Sequence, residues 1–452
     1  MSELIERALG DCDDTDVVVM GHDVLPQTGQ VFVDNFPGAR AVLVYDGNTW
    51  AAAGEPVKAS LEAAGVELAE PLEFPASPTV YASYDNVGVI RDFLAKEETI
   101  AVVIGSGTLN DLVKRASDEL GRRYMVVCTA ASMDGYAAFG SSITEDGFKH
   151  TMACRAPKAL IGDLPTMAAA PQRCTATGVG DLIEKVPAGA DWIIADELGI
   201  EAIDQEVWDL VQGPLQAAVS DPEGLVAGKP ESFRGLVEGL VMSGLAMQKY
   251  RVSSRPASGA GHQFSHLWEM EHLGMELDPP LTHGFKVGLG TISMLAMWEK
   301  VLEIDFTKLD IDAAVAKWPT AEQMEARVRE NFSGDQVEPS VKQTMGKYID
   351  ADQLRARLEL VAEKWPTIRE RCAAQVMTAE QVEALLKQVG GIYHPSQIGV
   401  TRERFYDTYF RAQMIRSRYT LLDFVYEAGL LEELVDALFA EDGFWGQRPW
   451  SE

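Results

Sequence analysis

Four short apolar runs dominate the first 132 residues: DVVVMG (16–21), AVLVYDG (41–47), TIAVVIGSG (99–107) and YMVVCTAAS (124–132). They are rich in Val and Ile and end in Gly or small polar residues. Strands buried on both faces of a parallel sheet have this make-up. Amphipathic helical patterns such as EPVKASLEAAG and NVGVIRDFLAKEE fall between them. The βαβα series predicts a doubly wound sheet with helices on both faces. KALIGDLP (158–165) supplies a last strand. FGSSITEDGFKHTMA (139–153), with Asp146-Gly147 between two partly alternating segments, reads as a β-hairpin.

From about Thr166 the periodicity turns helical, as in ESFRGLVEGLVMSGLAMQKY, ADQLRARLELVAEKW and AEQVEALLKQVG. The expected architecture is an α/β nucleotide-binding domain over residues 1–165 and an all-α domain over 166–452. A cleft between two such units is a common ligand site. Asp and Glu number 69 against 39 Lys and Arg, a formal charge of −30. Such a field argues against nucleic acid and anionic membranes as partners, and an anionic substrate would need a local positive pocket. The five cysteines are odd in number and contain no C-x-x-C pair. That composition fits a reducing cytoplasm better than a disulfide framework. No apolar run of about 18 residues marks a membrane span, and the N-terminus lacks an apolar signal core.

The first chemical signal is the glycine turn Gly105-Ser106-Gly107-Thr108, set between an apolar strand and a helix opening at Leu109-Asn110-Asp111. Glycine admits a phosphate close to the backbone, and a helix N-terminus offers free N–H groups. The spacing is not G-x-G-x-x-G, and the turn follows a later strand than the first. Asp46, ending another strand, is placed to meet a ribose hydroxyl and would lean the site towards NAD over NADP. A plain turn at Asp46-Gly47 is equally open.

The second signal is GAGHQFSHLWEMEHLGMELDPPLTHG (259–284), which holds four of the chain's seven histidines. His262 and His266 stand at i, i+4 and share one helix face. His283 follows a Pro-Pro loop and can open the next, antiparallel helix. His272 lies about 280° further round than His262 and faces elsewhere. GVGDLIEK places Asp181 after a Gly-x-Gly turn at an expected helix start, where a simple capping role is also open. Two histidines and a carboxylate suit Zn²⁺, Fe²⁺ and other divalent ions, and three protein ligands leave the open position of a catalytic site.

Six blocks in order, GSGTLND, CTAASMDGYAAFGSS, RAPKALIGD, GVGDLIEK, SRPASGAGHQFSHLWEME and LTHGFKVG, resemble the sn-glycerol-1-phosphate dehydrogenases. These belong to the superfamily of iron-containing alcohol dehydrogenases, glycerol dehydrogenases and dehydroquinate synthases. The resemblance runs from about residue 16 to 300, with a helical tail beyond. It implies a dehydroquinate synthase-like fold, NAD or NADP on the N-terminal domain, and a divalent metal held by Asp181, His262 and His283. It further implies His266 beside substrate and nicotinamide, Asp134 near the substrate, Thr129 and Ser132 in a cofactor-contact block, and Lys158 approaching the cofactor.

Two positions depart from the pattern. Lys185 stands where iron-type members carry a fourth ligand, His, which favours Zn²⁺ over iron, with Ni²⁺ also accepted. Gly261 stands where Glu often precedes the first metal histidine, so the carboxylate behind that ligand is in doubt. The implied reaction is reversible hydride transfer between a nicotinamide and the pair dihydroxyacetone phosphate and sn-glycerol 1-phosphate. Lys185, Lys286 and Arg255 are the candidate phosphate cations, and a homo-oligomer, dimer or larger, is expected. A dehydrogenase of a non-phosphorylated polyol and a lyase with internal NAD redox stay open beside this reading.

Overall fold

A computed structural model describes residues 3–10, 12–145 and 148–450. Six strands form one parallel sheet: β1 (Val17–Gly21), β2 (Ala41–Asp46), β3 (Leu72–Phe74), β4 (Ile100–Gly105), β5 (Tyr124–Cys128) and β8 (Ala159–Asp163). Their order across the sheet is β1-β8-β5-β4-β2-β3. Alternate side chains along each strand feed opposite faces. On one face Val102, Ile104, Met125, Val127 and Ile161 pack with Phe32, Val57 and Leu61 of the helices Thr28–Asn35 and Glu55–Ala63. On the other, Val103, Val126 and Leu160 pack with Val87, Ile90, Leu112 and Val113 of the helices Tyr84–Leu94 and Gly107–Glu119. The sheet is doubly wound, and the apolar runs in the sequence are the strands that this burial demands.

Two elements carry no clear sequence signal. β3 is a three-residue edge strand paired only with β2 among the described residues. The helix Glu3–Leu9 inserts Ile5 and Ala8 into the core. The strands β6 (Ser141–Glu145) and β7 (Phe148–Met152) pair antiparallel, as the hairpin pattern predicts, while the turn at Asp146-Gly147 lies outside the described residues.

After β8 the described chain is helical, and one apolar cluster runs from the sheet's second face through Leu182, Leu240, Phe264 and Leu289. No helix among the described residues is long and apolar enough to cross a membrane. The C-terminal strand ends Gly21, Asp46, Gly105, Cys128 and Asp163 share one edge, where parallel sheets place their ligands.

Candidate metal and cofactor site

Three helices bring the ligand candidates together: Gln172–Ile183 carries Asp181, Ala260–Met270 carries His262, and His283 opens His283–Glu303. The GVGD block is not the expected turn and helix start. It lies inside the first of these helices, with Asp181 in the last turn. Its glycines are contact points. A Cβ on Gly178 would stand 2.1 Å from the Ala131 carbonyl oxygen, and one on Gly180 would stand 2.4 Å from that of Gly284. Only bare backbone lets the acid-bearing helix approach so closely both the segment after β5 and the helix of His283.

The imidazoles converge on one carboxylate oxygen. His262 Nε2 is 3.4 Å and His283 Nε2 is 4.0 Å from Asp181 Oδ1. The three ligand atoms lie within 4.8 Å of one another. Behind them, His262 Nδ1 faces Glu184 Oε2 at 2.8 Å, and His283 Nδ1 is 2.8 Å from Glu269 Oε1. A carboxylate on the far nitrogen fixes the ring and leaves Nε2 for a cation. Asp181 Oδ1 is buried without a hydrogen-bond partner, while Oδ2 accepts the Asp134 N–H at 3.0 Å. An orphaned buried carboxylate oxygen is costly, and a divalent ion would satisfy it and both nitrogens together. The residues therefore fit a metal.

The position of Gly261 left the carboxylate behind His262 in doubt. Glu184 fills that place from the junction between the helices Gln172–Ile183 and Lys185–Glu197, and a Cβ at Gly261 would press to 3.0 Å on Glu184 Cγ. Asp181 and Glu184 stand three apart, one helical turn, so the pairing is readable once GVGD is taken as helix. Glu184→Gln keeps an oxygen for the Gly259 N–H, which donates to Oε1 at 3.0 Å, but removes the charge behind His262. The variant is expected to bind metal about 10–100-fold more weakly by calorimetric titration.

Burial alone would lower the His262 pKa, but Glu184 and Asp181 outweigh it and raise it to about 9 in the metal-free protein. Two pH effects follow. A metal must displace this proton, so calorimetric affinity is expected to rise between pH 6.5 and about 9. The raised pKa also stabilises the metal-free fold fully below about 6.5, and that contribution is lost as pH climbs through about 9. A metal-free melting temperature that does not fall over this range would contradict the assignment.

His266 lies beside the cluster, with ring centroids 6.0 Å from His262 and 5.7 Å from His283. Burial, then the charge of Arg416, push its pKa well below the usual value, so the ring is neutral. Lys185 is completely buried; its Nζ is 2.6 Å from Asp134 Oδ2 and donates to the Asp181 carbonyl at 2.8 Å. Ser243 Oγ donates to the same Asp134 oxygen at 2.9 Å.

None of the three expected phosphate cations stands open. Lys185 is held as described. Arg255 is buried, with Nε 3.0 Å from Glu201 Oε2 and Nη1 donating to the Tyr419 carbonyl at 2.6 Å. Lys286 is buried within its helix.

At the sheet edge, Ser106 caps the helix Gly107–Glu119 with extended backbone and no side-chain bond, leaving that N-terminus to an incoming group. The Thr129 N–H donates to the Gly105 carbonyl at 3.1 Å. The segment 129–134 thus runs from the glycine turn to the metal cluster, where the Asp134 N–H meets Asp181. Ser132 Oγ, on this segment, is 3.3 Å from the Tyr136 hydroxyl. Asp46 caps the short turn after β2, accepting the N–H groups of Asn48 and Thr49 at 2.8 and 2.9 Å.

Two expected cofactor residues do not join this edge. Lys158 precedes β8, at the opposite end of the sheet, and pairs with Asp16 at 2.7 Å. Asp111 is buried one turn into its helix, where it accepts the Ser142 N–H at 3.2 Å and lies 3.4 Å from Lys114.

Comparison with known proteins gives the chain's relatives. Residues 19–171 match the family described as iron-containing alcohol dehydrogenase. A glycerol-1-phosphate dehydrogenase (NAD(P)+) of Halalkalibacterium halodurans is 34 % identical over 258 residues, 57 % of this chain and just under two thirds (64 %) of the relative. Its counterpart in Pyrococcus horikoshii is 31 % identical over 294 residues, covering 63 % of this chain and 80 % of that protein. In fold, a probable glycerol dehydrogenase of Sinorhizobium meliloti superposes with a TM-score of 0.59 at 14 % identity, over 94 % of this chain and 98 % of its own. The chain belongs to the glycerol-1-phosphate dehydrogenase family.

Proposed function

We propose that this protein reduces dihydroxyacetone phosphate to sn-glycerol 1-phosphate, reversibly, with NAD or NADP and one divalent metal ion. The observation that carries the reading is the convergence of His262 and His283 on the unpartnered Asp181 oxygen. Relatives named for this activity support the substrate. In this reading residues 1–165 hold the cofactor and 166–452 the metal.

When bound, the metal acts as a Lewis acid on the substrate oxygen and the nicotinamide supplies or takes the hydride. The chain's own residues supply the rest. Asp181, His262 and His283 hold the ion. Glu184 and Glu269 orient the two imidazoles through their Nδ1 atoms. Lys185 and the Asp134 N–H fix Asp181 in place. Neutral His266 relays the alcohol proton to solvent during oxidation, receiving it at one ring nitrogen as the other releases its own, and runs the relay backwards during reduction. The glycine turn and the N-terminus of Gly107–Glu119 receive the cofactor's diphosphate, and Asp46 meets its ribose. Zn²⁺ is favoured, because Lys185 occupies the position of a fourth ligand. Five free cysteines suit a cytoplasmic setting, and a homo-oligomer is part of the proposal.

The test strips the protein with chelator, restores single metals, and follows NADH oxidation with dihydroxyacetone phosphate and with dihydroxyacetone. Metal-dependent turnover that strongly prefers the phosphate ester is expected. Turnover of the unphosphorylated ketone alone would make the protein a polyol dehydrogenase. Metal binding without net NADH consumption on either ketone would point to a lyase.

A further inference from the structure

A strongly acidic chain that accepts a phosphate ester needs a cation beside its metal, and the three cations near the ligands in sequence are otherwise engaged. The helix Arg402–Ala412 packs along the histidine helix Ala260–Met270. Arg404 and Arg411 reach Glu271 at the far end of that helix. A few residues on, Arg418 Nη1 donates to the Ser258 carbonyl at 2.7 Å and to Ser258 Oγ at 2.8 Å, just before the helix begins. The Leu421 N–H then donates to Asp191 at 2.8 Å, the same carboxyl that accepts the Ala260 N–H at 2.7 Å. The chain between Arg411 and Arg418 therefore runs antiparallel along the histidine helix. Arg416 lies on this stretch, two residues before Arg418.

Two electrostatic effects agree with that placement. The charge of Arg416 acts on His266, and the charge of Glu269 supports the Arg416 guanidinium against its burial. Yet no carboxylate among the described residues pairs with Arg416 at ion-pairing distance; its Nη1 donates to the neighbouring Ile415 carbonyl at 2.9 Å. Behind it, burial and then the charge of Arg255 lower the Arg418 pKa to about 9, with Arg416 adding to the same effect. A half-buried guanidinium crowded by like charge and without its own carboxylate is unfavourable until an anion arrives. The planar fork of arginine matches two phosphate oxygens at once.

We propose that Arg416, supplied by the C-terminal helices, binds the phosphate group of the substrate and sets the preference for a phosphorylated ketone. This rests on the reading of the site as a reductase of such a ketone. The test compares wild type, Arg416→Ala and Arg416→Lys as metal-loaded full-length protein. Each is assayed with dihydroxyacetone phosphate, with dihydroxyacetone, and for inhibition by inorganic phosphate. Charged hydrogen bonds of this kind convert to a loss of roughly 10–100-fold. That loss is expected in kcat/KM for the phosphate ester with Arg416→Ala, carried mainly by KM. Turnover of dihydroxyacetone should fall far less, phosphate inhibition should vanish, and Arg416→Lys should recover part of both.

An Arg416→Ala enzyme that keeps its phosphate preference overturns the assignment and leaves the function standing. Equal loss on both ketones also overturns it, because that is the mark of a structural role. A wild type without phosphate preference, but with Arg416-dependent phosphate inhibition, sinks the proposed substrate and keeps the anion site. A wild type with neither sinks both.

Discussion

Asp181→Asn protein is expected to fold, to retain no stoichiometric divalent ion after dialysis, and to lose about 10³-fold or more in kcat/KM. The amide keeps the shape of the carboxyl and one oxygen for the Asp134 N–H. The Lys185 bond to residue 181 goes to the backbone carbonyl and is untouched. What disappears is the negative charge on which both Nε2 atoms converge. Burial would raise the carboxyl's pKa, but Lys185 and the two histidines hold it far below the usual range, so it is ionised and ready to bind a cation at any ordinary pH. A Lewis acid at a carbonyl contributes several kcal/mol, and each 1.36 kcal/mol is tenfold in rate, which gives the stated loss. Metal content by mass spectrometry beside a circular-dichroism melt separates this outcome from misfolding. A variant that holds one ion per chain and turns over normally would remove the cluster as the metal centre.

The sheet was legible because a parallel strand covered on both faces has nowhere to place polar side chains. β2, β4, β5 and β8 are almost continuously buried, and their sequences say so. β3 escapes because three residues at an edge show no period. The histidine helix was legible from the i, i+4 spacing, and the Pro-Pro loop placed His283 at the head of the next helix. The GVGD block misled because glycines that serve close approach look, in one dimension, like glycines that serve a turn. Their partners, Ala131 and Gly284, are distant in the chain. Placing Asp181 at a helix start also hid Glu184 as the carboxylate behind His262.

Lys158 shows the opposite lesson. The resemblance put it at the cofactor, but PKAL precedes an apolar strand, and ligands gather where parallel strands end. Strand polarity alone could have excluded it. Nothing local marks Arg416. In the proposal it reaches the site because the following residues are stitched to the entry of the histidine helix through Arg418 and Leu421.

Lys185→Met should lower the stability of the metal-free protein by about 3–5 kcal/mol, the usual cost of removing one partner from a buried charge pair. Lys185 has no solvent exposure, and although burial opposes its charge, Asp134 and Asp181 raise its pKa, so the ammonium is retained. Methionine fills the volume but leaves two carboxylates facing each other across the site without the cation between them. For a chain of this length the melting temperature is expected to fall by roughly 5 °C.

The deficit should depend on pH in a definite sense. The depressed pKa of Asp181 is a stabilising contribution present above the unfolded value of about 3.9 and lost as pH falls through the folded one. The gap between variant and wild type is therefore widest near neutrality and narrows in acid, where the Asp181 carboxyl loses its charge. Saturating Zn²⁺ should recover part of the loss at neutral pH, because the metal ion then meets Asp181 in place of the lost ammonium charge. Wild-type melting behaviour in the variant at neutral pH would mean that Asp134 and Asp181 are not balanced by this lysine, and the account of how the chain holds its metal-binding carboxylate would have to be replaced.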